Sequence, residues 1–127
     1  MHFSRLVAPV VLAFLGVAPG IHADVLCNGR VSALLTEKEG NVMAYVTFRN
    51  DWLLVCNIRS VSDGVQPDVC KSWLATLTTL RVTQEPATFY YVTPNTSQAF
   101  CASIPSYANA PAPNYVSINL PDLQLSQ

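Results

Sequence analysis

"WLLVCNIRSVSDGVQPDVCKSWLATL", residues 52–77, holds the turning point of the chain. Trp52 to Ile58 is apolar through Cys56, so it reads as a strand covered on both faces. A polar loop follows. Pro67 then suits the first position of a helix, and Asp68 suits its positive end. Cys70, Trp73, Leu74, Leu77 and Leu80, with Arg81 beyond them, follow the i, i+3, i+4, i+7 stripe of an amphipathic helix. Thr76, Thr78 and Thr79 lower its intrinsic propensity. The helix must therefore depend on packing and on a tether at Cys70, with Trp73 as a core anchor.

On either side of this stretch the pattern is strand. "VMAYVTF" (Val42 to Phe48) alternates, with Val42, Ala44, Val46 and Phe48 on one face and Met43, Tyr45 and Thr47 on the other. "RVSALLT" (Arg30 to Thr36) is an earlier strand, and "EKEGN" between them is a turn in which Gly40 takes positive φ. With "RND" (Arg49 to Asp51) as a second turn, three strands form a meander of hairpins. Beyond the helix, Pro86 closes a turn, Ala87 to Val92 is a fourth strand and Tyr115 to Leu120 a fifth. "TPNTSQAF" is a loop. Cys101 to Asn114 contains three prolines and is expected to be neither strand nor helix. The order β-β-β-α-β-β predicts a mainly β domain with one helix, a small OB-like five-stranded barrel; an open sheet covered by the helix is the alternative.

Four cysteines stand at 27, 56, 70 and 101. An even number in a small exported domain predicts two disulfides. Zinc would need closely spaced cysteine pairs or histidine partners, and a redox centre would need CxxC; neither pattern is present. Three pairings are open. The expected ones are Cys56–Cys70, tying a strand end to the first turn of the helix, and Cys27–Cys101. In the expected barrel the fourth strand runs antiparallel to the first, so Cys27 and Cys101 flank neighbouring strand ends.

The amino terminus supplies the export signal that the disulfides require. "MHFSR" carries one arginine, Leu6 to Ala18 is an apolar run, and "PGIHA" offers a cleavage site after Ala23. The apolar run is too short to span a bilayer. Residues 1–23 are thus expected to be a signal peptide, 24–120 a single domain, and 121–127 a loose tail. The exported chain is expected to be secreted or periplasmic and free of the membrane. Removal of 1–23 takes away both histidines, His2 and His22, and leaves eight acidic residues against six basic ones. No basic face for nucleic acid or polybasic membrane patch is expected from that balance.

The motifs "CNGRV", "WLLVCN", "PDVCKSWL" and "CASIPSY" together resemble a group of small exported bacterial proteins. The resemblance spans nearly the whole exported chain. It implies export and a disulfide framework but carries no known activity. The element order also looks like the OB-fold B subunits of bacterial toxins, which are sugar-binding pentamers, by topology alone.

Imidazole-based catalysis is excluded by the loss of both histidines, and no phosphate-binding glycine loop is present. The carboxylates Glu37, Glu39, Asp51, Asp63, Asp68 and Glu85 fall mostly in predicted turns, where solvated charge is the ordinary reading. No enzyme activity, catalytic residue, metal or cofactor is expected. The expectation is a non-catalytic binding module for a glycan or peptide. Its contacts would come from Tyr45, Asn50, Asp51 and Trp52, with Thr47 and Arg49 beside them and Tyr90 and Tyr107 at the border. The alternative is a structural or accessory subunit, or a small inhibitor of another exported protein; "IPSYANAPAPNY" would then serve as an extended epitope, although a packed loop pinned by Cys101 is the favoured reading of that segment. The partner, protein or glycan, and the oligomeric state are left open by the sequence.

Overall fold

A computed structural model describes residue 16, residues 23–93 and residues 99–118. The predicted signal peptide, apart from Gly16 and Ala23, and the predicted tail lie outside these residues. Eight elements follow one another: β1 (Ala23–Gly29), β2 (Val31–Thr36), β3 (Asn41–Val46), β4 (Asp51–Asn57), α1 (Pro67–Thr83), β5 (Ala87–Thr93), α2 (Ala99–Ser103) and β6 (Tyr115–Ile118). They build two antiparallel three-stranded sheets, ordered β2-β3-β4 and β1-β5-β6. The mainly β class and the predicted meander are present. A closed five-stranded barrel is not: among the described residues no ladder joins β4 to β6.

The extra strand is β1. Its Asp24, Asn28 and Gly29 are poor strand formers, so only Val25 and Cys27 mark its buried face. β5 pairs with β1, Gly29 opposite Ala87, rather than with the predicted first strand. β4, though buried from Leu53 to Asn57, is the edge of its sheet. Its open side is covered by Tyr107, whose N–H donates to the Trp52 carbonyl at 2.8 Å and whose carbonyl accepts from the Leu54 N–H at 3.2 Å. Such a bridge protects an edge strand from other chains.

β3 departs from the simple alternation, since Met43 is as buried as Val42 and Ala44. The register with β4 shifts between Val42 and Met43, and such an irregularity breaks the in–out pattern. β3 ends at Val46, not Phe48, because the Arg49 and Asn50 N–H groups both turn back onto the Val46 carbonyl. Gly40, at φ +96°, could not carry a side chain: a Cβ there would stand 2.8 Å from Asn57 Oδ1. That amide pins the same turn, accepting from the Arg59 and Ser60 N–H groups and donating to Asn41.

α1 begins at Pro67, with Asp68 in its first turn. Cys70, Leu77 and Leu80 are buried, and Trp73 and Leu74 pack half-buried against the core. Arg81 is exposed and does not extend the buried stripe. The hydroxyls of Thr76, Thr78, Thr79 and Thr83 donate to carbonyls four residues earlier, which satisfies groups that otherwise compete with helix formation. Gln84 closes the helix in the left-handed region and donates its side-chain amide to the Val31 carbonyl at 3.0 Å.

Cys101 to Ser103 lie in α2, contrary to the irregular structure expected from residue 101 onward. The prolines restrict the chain only from just before Pro105, so one helical turn fits ahead of them. Ile104 to Asn114 is irregular, with Ile104, Ala110 and Ala112 buried while Pro105 and residues 107–109 are exposed. Both expected disulfides are formed, Cys27–Cys101 joining β1 to α2 and Cys56–Cys70 joining β4 to α1. No described helix is long and apolar enough to cross a membrane.

The bridges have sequence separations of 74 and 14. Replacing Cys27 and Cys101 together by alanine is therefore expected to lower unfolding stability by about 4.5 kcal/mol, and replacing Cys56 and Cys70 by about 3 kcal/mol. Urea unfolding monitored by tryptophan fluorescence measures both; a larger loss for the shorter loop would contradict the chain-entropy account.

Candidate functional site

The hairpin joining β3 to β4 brings together all four predicted contact residues. Tyr45 and Trp52 are cross-strand partners, in one row with Ala33 of β2. Their rings meet edge to face, with centroids 5.7 Å apart and planes at 86°, the geometry that the ring quadrupoles favour. Both are half-buried. The Tyr45 hydroxyl shares its proton between the Asn50 carbonyl at 2.9 Å and Asn50 Oδ1 at 3.0 Å. Asn50 occupies φ 55°, a left-handed conformation that asparagine tolerates better than most residues. The local sequence thus sets up its own geometry, with a tight turn at 47–50 and an aromatic pair directly behind it.

Asp51 and Arg49 also bind a neighbouring segment of the chain. Asp51 Oδ1 accepts the Trp52 N–H at 2.7 Å, and Oδ2 accepts the Ser106 hydroxyl. The Arg49 Nε donates to the Ile104 carbonyl at 2.6 Å, and its guanidinium stands 3.9 Å from Asp51 Oδ2. These bonds clamp residues 104–107 against the start of β4, where Tyr107 continues the contact through its backbone. Asp51 is thus a fastening for the neighbouring segment and fixes the surface indirectly. Ser106 carried no signal in the sequence, because a serine between Pro105 and Tyr107 has no periodicity to place it. Thr47 accepts the Arg30 N–H at 2.8 Å and belongs to the link between the two sheets. Tyr90 is on the other sheet, stacked on Tyr115 with centroids 4.5 Å apart, and does not join this surface.

The Asp51 carboxyl is held below the ordinary carboxylate range, first by the Ser106 hydroxyl, then by the Trp52 N–H, with Arg49 adding attraction and burial opposing. Among the described residues no group of three or more His, Cys, Asp or Glu side chains is placed to hold a metal ion. A cavity of about 520 Å³ opens elsewhere, and none of Tyr45, Asn50, Asp51 or Trp52 lines it. No family model, no curated protein and no solved structure matches this chain.

A carboxyl depressed on folding stabilises the protein above its unfolded-state value, near 3.8, and loses that contribution as pH falls through the lower folded value. The melting temperature, followed from about pH 6 to about pH 2, is expected to fall less steeply on acidification in Asp51→Asn than in the wild type. Ser106→Ala is expected to remove more of the difference than Arg49→Gln, because the hydroxyl is the largest cause of the shift.

Proposed function

We propose that this chain is a secreted or periplasmic binding module, without catalytic chemistry of its own, that engages a glycan or peptide through Tyr45, Trp52 and Asn50. The observation that carries this reading is the Tyr45–Trp52 edge-to-face pair beside the exposed Asn50. Tyrosine and tryptophan combine apolar area with a polar tip and dominate binding hot spots. Asn50 adds amide hydrogen bonding at the rim, and Asp51 holds the platform in shape through Ser106 and Arg49.

The fold supports the same reading when taken as an OB-like open barrel. The meander β2-β3-β4, the helix α1 before β5, and the antiparallel pairing of β5 with β1 follow that order. OB barrels carry ligands on the equivalent of β3 and β4 and on adjoining loops. Two disulfides in a domain of this size are crosslinks typical of oxidising compartments, which supports export. An accessory-subunit role is the second reading. It is favoured by β6, which pairs only with β5 among the described residues and exposes Tyr115 and Ile118.

Glycan arrays and peptide pull-downs with the oxidised protein test the first reading. Trp52→Ala and Asn50→Gly, the latter keeping the positive φ accessible, are each expected to weaken capture about tenfold or more while the melting transition stays cooperative. Undiminished capture in both variants would remove this surface as the site.

A further inference from the structure

The cavity of about 520 Å³ is walled by the turn at Asp63–Val65, by Tyr91 and Val92 of β5, by Phe100 of α2, and by residues 111–114. Its volume falls within the range of roughly 300–1,000 Å³ usual for small-molecule sites. The decisive group is Tyr91. The residue is 2% exposed, and its ring meets Phe100 edge to face at 5.7 Å. Among the described residues its hydroxyl makes no hydrogen bond, yet no sealed side-chain oxygen or nitrogen there lacks a partner. The hydroxyl therefore opens into the cavity that Tyr91 lines. Burial pushes this phenol up, so it remains a neutral O–H group at physiological pH. An open phenol can both donate and accept, so it is a group with which a ligand entering the cavity can pair.

Two further groups face the same space with hydrogen-bonding capacity to spare. Asp63 and Gly64, at φ 48° and 79°, form the centre of a tight turn closed by Ser62 and Val65. Asp63 Oδ2 accepts the Ala112 N–H at 2.8 Å, which leaves Oδ1 as an acceptor. A Cβ on Gly64 would meet nothing within 4 Å, so the turn borders open space. Asn114 Oδ1 accepts the Val92 N–H at 3.2 Å, which orients the side-chain NH₂ as a donor. Between these groups lie Phe100, Val92 and the rings of two prolines.

This lining selects its ligand. It holds no cation, so phosphate, sulfate and carboxylate ligands have no counter-charge. One carboxylate, partly spent on Ala112, is too little for a metal ion. A purely apolar ligand would leave the Tyr91 hydroxyl and the Asn114 amide unpaired, which carries a desolvation penalty. A neutral saccharide uses every group: its C–H faces pack on Phe100 and Pro111, and its hydroxyls donate to Asp63 and accept from Asn114 and Tyr91. We propose that this cavity binds one or two rings of a neutral saccharide, at a site separate from the Tyr45–Trp52 surface.

The test titrates the oxidised protein with methyl glycosides of glucose, galactose, mannose and N-acetylglucosamine and with their neutral disaccharides, followed by amide chemical shifts. At least one is expected to shift the amides of residues 63–65, 91–92, 112 and 114. Tyr91→Phe is expected to weaken it about fivefold, one modest hydrogen bond, while melting at the wild-type temperature because the hydroxyl has no partner among the described residues. Trp52→Ala is expected to leave this affinity unchanged, so the cavity and the strand surface fail independently. The proposal is overturned if no neutral saccharide shifts these amides, or if only a peptide or an acyl chain does. It is equally overturned if Tyr91→Phe binds as tightly as the wild type or melts markedly lower.

Discussion

The Cys27–Cys101 bond is the constraint on which both surfaces depend. It fastens the irregular last third of the chain to the first strand. Between α2 and β6 the backbone forms no ladder of its own beyond the bridge at Tyr107. A segment with so few regular hydrogen bonds is expensive to order, because each residue fixed costs roughly 1–2 kcal/mol of backbone entropy. The crosslink removes part of that cost from the unfolded chain. Arg49 and Asp51 then hold residues 104–107, and Asp63 holds Ala112. Three anchors thus convert a proline-rich stretch into the wall of the cavity and the brace of the β3–β4 hairpin.

The second disulfide acts on a different problem. α1 carries several threonines and no side-chain cap at its start. Its threonine hydroxyls are absorbed by the preceding turns, and Cys70 binds its first turn to β4. Cysteine pairing therefore supports the two elements whose local sequence supports them least, while the meander β2-β3-β4 relies on apolar alternation and tight turns.

Much of this was legible in the residues. The alternation around Val42–Val46, the switch to helical spacing after Pro67, and the even set of cysteines led to the meander, the helix and both bridges. The hairpin cluster of Tyr45, Asn50, Asp51 and Trp52 was also legible, because these residues are neighbours in sequence and a two-stranded ribbon keeps neighbours together. β1 was hidden by its Asn and Gly, and α2 by the prolines that follow it. The role of Asp51 was hidden because its partner Ser106 is 55 residues away, and no local pattern specifies such a contact.

By itself, then, the sequence determined the elements that arise from nearest-neighbour patterning: strands of period two, one amphipathic helix, and cysteines suited to an oxidising compartment. Tertiary structure alone decided how the strands divide into two sheets and how β4 is covered by Tyr107. It also decided that Tyr91, Phe100, Asp63 and Asn114 face a common cavity. The physical reason is range. Periodicity reports which side of an element is buried, whereas the partner across the core is chosen by packing and by hydrogen bonds between distant parts of the chain.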